Sequence, residues 1–105
     1  MERILCAAIW YNDNTRYIHQ PKNISLGYVV CGWRHHNCFT ILHLTEDPDY
    51  PIIKKNVTQG FLTSEDRFVD RKQAFRIAYV AKQIVSRPVK ETDNGVADLF
   101  SEDLY

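Results

Sequence analysis

The sequence predicts an α+β fold: a single compact domain with a mainly antiparallel sheet and two helices, arranged as two ββα-like units. Three observations carry that expectation. Apolar and aromatic runs of strand length occur at Ile4–Tyr11, Tyr28–Cys31 and Val57–Thr63, bounded by residues that favour turns. From Asp70 onward a carboxylate, a glutamine three residues later and apolar residues at helical spacing mark a helix and its start. The order strand, turn, short strand, basic residue, helix then occurs twice, with Arg34 opening the first helix and Arg71 the second.

Ile4-Leu5-Cys6-Ala7-Ala8-Ile9-Trp10-Tyr11 reads as a buried strand running into the Asn12-Asp13-Asn14 turn. Its partner is either Arg16 to His19 or Tyr28 to Cys31. Gln20-Pro21-Lys22-Asn23 is loop chemistry, and Gly27 ends the loop before the second strand. After Gly32 the pattern is double: Phe39, Ile41 and His43 alternate as in a strand, whereas Cys38, Ile41, Leu42 and Thr45 fit a helical stripe. A helix from about Arg34 to Leu44 is the favoured reading, ending before Asp47-Pro48 because proline disfavours helix in the residue before it.

Asp49 to Lys55 is loop-like. Val57–Thr63 is a strand, Ser64-Glu65-Asp66 a tight turn and Arg67-Phe68-Val69 a short return strand, which together form a hairpin. In the following helix Ala74, Ile77, Ala78, Ala81 and Ile84 share one face. That helix should stop at Val85 to Arg87, since Pro88 cannot continue it. Asp93-Asn94-Gly95 is a turn, and a terminus carrying Leu99, Phe100, Leu104 and Tyr105 should dock on the body.

At 105 residues the chain can bury roughly 60 to 70 % of its unfolded surface, enough for one core. A hydrophobic fraction of 45 % excludes a disordered tail. Lys plus Arg and Asp plus Glu each number 13, so no net field draws the protein to phosphate backbones and duplex nucleic acid is a poor partner. The longest apolar run is far shorter than the roughly 20 residues that span a bilayer, and no signal peptide is evident. A cytoplasmic location without a membrane partner follows. Cys6, Cys31 and Cys38 form an odd set, which in a reducing compartment reads as free thiols packed like small apolar residues.

The segment Gly32-Trp33-Arg34-His35-His36-Asn37-Cys38 concentrates the chemistry. Cys31 and Cys38 lie too far apart in sequence for a zinc knuckle, and adjacent histidines on a helix point about 100° apart, so a metal site is not expected. General acid–base work would fall to His36, with Arg34 stabilising developing negative charge. No nucleophile elbow, P-loop or dinucleotide fingerprint accompanies it, so the protein reads more readily as a non-enzyme without cofactor. Anion binding uses more of the residues: Arg34, His35 and His36 at one helix start, Arg67 and Arg71 around the other, and Gln59, Ser64 and Asn94 as neutral partners. Trp10, Tyr11, Trp33 or Phe61 would stack on a base. Plainer roles exist for each: Arg67 and Arg71 paired with Glu65, Asp66 or Asp70, one core and one solvated histidine, and core aromatic rings.

The combination Ala7-Ala8-Ile9-Trp10-Tyr11, Gly27-Tyr28-Val29-Val30-Cys31-Gly32 leading to Arg34-His35-His36-Asn37-Cys38, Gln59-Gly60-Phe61-Leu62-Thr63-Ser64 with Arg67-Phe68-Val69-Asp70-Arg71 and Ala74, and Asp93-Asn94-Gly95 before Ser101-Glu102-Asp103-Leu104-Tyr105 resembles a family of small proteins common in bacteriophage and prophage genomes. The resemblance implies an accessory protein acting in the host-cell cytoplasm, and it transfers no catalytic residue. By context it points to counter-defence, including sequestration of cyclic nucleotide or ADP-ribose-like signals. The resulting expectation is a protein, alone or as a homodimer, that binds a small anionic, nucleotide-derived ligand through Arg34, His35, His36, Gln59, Ser64, Arg67 and Arg71. Two alternatives stand beside it: an inhibitor of a host defence or nucleic-acid enzyme acting by protein contact, with Ser101-Glu102-Asp103 as binding segment or lid, and a small hydrolase or transferase centred on His36.

Overall fold

Four strands and two helices follow one another as β1 (Ile4–Tyr11), β2 (Tyr28–Gly32), α1 (His35–Leu44), β3 (Val57–Thr63), β4 (Phe68–Asp70) and α2 (Arg71–Val80), with 3-10 turns at Lys54–Asn56 and Ser101–Asp103. This is a computed structural model, and it describes residues 1–84 and 98–104. The strands form one antiparallel sheet in the order β2-β1-β3-β4. Of the two partners the sequence left open for β1, the structure selects Tyr28–Gly32.

Each ββα unit supplies one hairpin, and the two hairpins join along β1 and β3. Ala8 lies opposite Cys31 on one side and Gly60 on the other, and Gly60 lies opposite Asp70. Because the joining strands are antiparallel and each helix follows an edge strand, the units are related by an approximate twofold axis normal to the sheet. Both helices cover the same face. α1 runs toward the Tyr11–Val57 end, where Leu42 and His43 lie beside Val57. α2 runs the other way, so that Gln83 just beyond it brackets Ile4 with two hydrogen bonds to its backbone.

The covered face carries Ile4, Ala7, Ile9, Tyr11, Phe61 and Val69 from the sheet, Cys38 and Leu42 from α1, and Ala74, Phe75 and Ala78 from α2. Burial of each large side chain among them stabilises the fold by about 1.5–3 kcal/mol. Ala8 is fully buried on the opposite face, which is why β1 reads as a continuous apolar run and not an alternating one. That second face is crossed by the loop between β1 and β2. Trp10 Nε1 donates to the Leu26 carbonyl, and its ring tilts against Phe68 with centroids 6.4 Å apart.

The same loop plugs both sheet edges. Gln20 Oε1 accepts from the Val29 N–H on β2, while Asn23 bonds both the N–H and the carbonyl of Phe68 on β4. Unpaired strand edges invite pairing with another chain, and here two side chains three positions apart close one edge group on β2 and two on β4.

Several expectations need correction. The return strand begins at Phe68, with Asp70 as its last residue and the N-cap of α2. The capping box is as expected: Asp70 Oδ1 accepts from Gln73 N, and Gln73 Oε1 accepts from Asp70 N. α2 stops at Val80 and not near Pro88, because Lys82 adopts a left-handed conformation with φ of 57°. Residues 85–87 and the Asp93-Asn94-Gly95 turn lie outside the described residues. The buried face of α2 includes Phe75, which the apolar stripe had omitted, while Ile77, Ala81 and Ile84 are only half-buried. Of the terminal residues expected to dock, Leu99 is buried and Leu104 half-buried, with Ser101 also buried, whereas Phe100 is exposed and Tyr105 lies outside the described residues.

Candidate functional site

Both helix starts reach the middle of β3. His35, the first residue of α1, is buried, with its ring edge-on to Phe61 at 4.9 Å and its Nε2 2.7 Å from the Gly60 carbonyl oxygen. A carbonyl only accepts, so Nε2 carries the hydrogen. Gly60 lies opposite Asp70, the N-cap of α2. The next residue, Arg71, donates from Nη1 to the Leu99 carbonyl at 2.8 Å and from Nη2 to Gln59 Oε1. Its guanidinium also lies 4.8 Å from the centre of the Phe100 ring. Helix starts, central strand and terminal segment therefore share one junction.

Arg34 is the N-cap of α1 with extended backbone; its N–H donates to Asn37 Oδ1 and its carbonyl accepts from Asn37 N. An arginine side chain has no acceptor, so the backbone and Asn37 perform the capping. His36 is exposed while its neighbour is buried, which matches the division into one core and one solvated histidine.

Ser64 and Arg67 lie elsewhere, at the hairpin end of β3 and β4. Ser64 Oγ accepts from Arg3 N. Arg67 forms a two-pronged ion pair with Glu2, Nε to Oε2 at 2.8 Å and Nη2 to Oε1 at 2.6 Å, and Thr63 Oγ1 donates to the same carboxylate at 2.6 Å. The Arg67 hydrogen bonds hold the Glu2 carboxyl down at about 2, and the pair raises Arg67 in return. Glu65, Asp66 and Asp70 were the sequence candidates for this partner. The partner chosen is 65 residues away in the chain, a distance over which local sequence gives no signal.

Beside Gln59, between α1 and β3, opens a cavity of about 400 Å³ with Phe39, Leu42, Ile52 and Val57 as its apolar lining and His43, Lys54 and Gln59 as its polar groups. β4 is only three residues long and pairs with Gly60 to Leu62, so among the described residues no strand flanks the Val57–Gln59 half of β3 on its outer side. Of the residues expected at a ligand, the structure brings His35, Gln59 and Arg71 to the junction, with Arg34 capping the same helix, and only Gln59 reaches this cavity. Phe39, His43 and Lys54 were missed. Phe39 and His43 share a helical face, which was a readable signal, whereas Lys54 arrives through an irregular segment.

The cysteines are all free thiols. Cys38 packs in the core, where burial pushes its pKa up to about 11. A hydrogen bond between the Cys6 and Cys31 thiols lowers the first and raises the second. Among the described residues no group of three or more His, Cys, Asp or Glu side chains could hold a metal ion, and no helix is long and apolar enough to cross a membrane.

Paired ββα units with their helix starts abutting on a central strand define a small two-layer α+β protein. The chain belongs to the phage T4 y16D protein family, whose model matches residues 3–105. It is thus a phage accessory protein. No curated protein and no solved structure matches it.

Proposed function

We propose that this protein binds, and thereby sequesters, a small anionic ligand with an apolar or aromatic body, of the nucleotide class, in the cavity between α1 and β3. The observation that supports the reading is the cavity itself. Its volume of about 400 Å³ falls within the range of roughly 300–1,000 Å³ usual for small-molecule sites, which pair an apolar lining with a few polar groups.

Each polar group has a distinct role. Lys54 supplies a point charge for a phosphate, and the His43 ring a hydrogen-bonding group beside it. Arg71 engages Gln59 Oε1, so the Gln59 amide NH₂ is the donor available to the ligand. Phe39 offers a ring against a base. In this arrangement His35 and Arg71 act from behind, holding Gly60 and Gln59 in place, and counter-defence by removal of a nucleotide signal is the biological use of such a site.

Thermal-shift and calorimetric screening against mononucleotides, cyclic dinucleotides and cyclic ADP-ribose isomers tests the reading. A ligand at one hundred times its Kd stabilises the folded state by about 2.7 kcal/mol. A shift that Lys54→Ala removes, while the unliganded melting temperature stays the same, supports the proposal. No shift with any nucleotide at millimolar concentration rejects it.

A second reading, inhibition by protein contact, draws on the outer face of α1, where Ile41 and Leu44 are exposed and Trp33 precedes the helix at 63 % exposure. Under that reading Leu44→Glu would abolish capture of a host protein that Lys54→Ala still captures.

A further inference from the structure

At the Tyr11–Tyr28 end of the sheet, on the far side of the 45–53 segment from the first cavity, lies a second one of about 370 Å³. We propose that it is a binding site for an organic cation, an alkylammonium or guanidinium group. Tyr11, Tyr28, Tyr50, Asp47 and Asp49 are among the residues that line it. Among the described residues no lysine, arginine or histidine lines it.

The aromatic walls are held in place. Tyr11 and Tyr28 tilt together with centroids 5.8 Å apart, and Tyr17 meets Tyr28 edge-on at 5.2 Å. Tyr11 Oη accepts from the Ile53 N–H at 3.1 Å, which ties the ring to the segment carrying the other wall. That segment is itself folded. Tyr50 N donates to the Asp47 carbonyl, Asp49 N donates to Asp47 Oδ1, and the Ile52 N–H is taken by Glu46.

The charges are one-sided. Neither Asp47 nor Asp49 takes part in an ion pair among the described residues. Ring faces carry negative potential, so three tyrosines and two carboxylates around one concavity favour a cation, and a partly desolvated cation over a ring is worth about 0.5–2 kcal/mol per contact. A diffuse, weakly hydrated cation suits such walls better than a metal ion, which would need more oxygen ligands than two carboxylates offer. The inference is independent of the nucleotide reading, since the two cavities share only Ile52 as a lining residue.

A free polyamine and a lysine or arginine side chain of a polypeptide present the same group. The test titrates the full-length protein with butylguanidinium, spermidine, a Gly-Gly-Arg-Gly-Gly peptide and, as neutral control, butylurea, following the tyrosine ring resonances by NMR. Saturable shifts of Tyr11, Tyr28 and Tyr50 with the cations and not with butylurea are expected. Asp47→Asn combined with Asp49→Asn, confirmed as folded by its amide spectrum, should weaken binding about tenfold. Tighter binding of spermidine assigns a free amine, and tighter binding of the peptide assigns a polypeptide. Equal shifts with butylurea, undiminished affinity in the double variant, or no saturable shift with any cation overturns the proposal.

Discussion

At the scale of single residues, Gly60 shows how one position serves the whole junction. A Cβ there would lie 2.1 Å from the Val69 carbonyl oxygen and 2.7 Å from Phe68 Cζ. Neither neighbour can yield, because Val69 O is ladder backbone and the Phe68 ring is held against Trp10. Gly60→Ala should therefore cost about 2–4 kcal/mol, the range of overpacking at its upper end, as read by chemical unfolding. A loss below about 0.5 kcal/mol would mean that the strand pair opens freely. Glycine in a strand interior signals close approach, so the position was legible, although its partners were not.

Glu2 and Arg67 give a pH dependence at the same scale. The folded carboxyl titrates at about 2, below its ordinary 4.5. A depressed acid contributes stability that is complete above the unfolded value and is lost as pH falls through the folded one. Stability should therefore decline between pH 4.5 and 2, a window those two values set. Glu2→Gln should flatten that part of the profile while costing about 1–2 kcal/mol at pH 7, discounted because Arg67 is partly exposed. An unchanged slope in the variant would show that other carboxyls govern acid unfolding.

At the scale of elements, legibility follows the range of the interaction. The start of α2 could be read because capping is local: Asp70 and Gln73 satisfy each other across three residues. Its end could not, because Lys82 turns left-handed six residues before the proline that was expected to stop the helix. β1 was legible because it is apolar where it is buried, and β3 because turn-favouring residues bound a run that carries Val57, Phe61 and Leu62, while β4 was shifted by one residue since three residues carry little pattern.

The β1–β2 loop makes the same point in reverse. Asn23 looked like turn chemistry, yet its side chain closes the β4 edge by bonding both backbone groups of Phe68. Asn23→Ala should cost about 1–3 kcal/mol by leaving those groups partly desolvated and unpaired. It should also raise the concentration-dependent association of the protein, measured by light scattering, because the edge is reopened. Stability loss without association would show that the edge is protected by other means.

At the scale of the molecule, the likeness between the two halves has a physical basis that the sequence showed only faintly. Each half is one strand pair and one helix, and neither encloses a core alone: Phe61 of the second unit packs with Ala7 and Ile9 of the first, and the His35 ring reaches across to Phe61. What sequence similarity could not convey was that the antiparallel pairing of β1 with β3 would bring both helix starts to Gly60. That geometry depends on strand order, a property of the whole chain.

One consequence can be measured with the native chromophores. Trp10 and Trp33 both belong to the first unit, while Phe75, fully buried, belongs to the second. Phe75→Ala should remove about 3–5 kcal/mol by the lost transfer energy and the cavity left behind. If the shared β1–β3 seam makes the units one cooperative body, tryptophan fluorescence must record that full loss in a single denaturant transition with unchanged slope. Were the units to unfold separately, the tryptophan transition would stay in place and circular dichroism alone would acquire an earlier step. Coincidence of the two signals in both the native protein and the variant is the expected result, because neither half has an interior without the other.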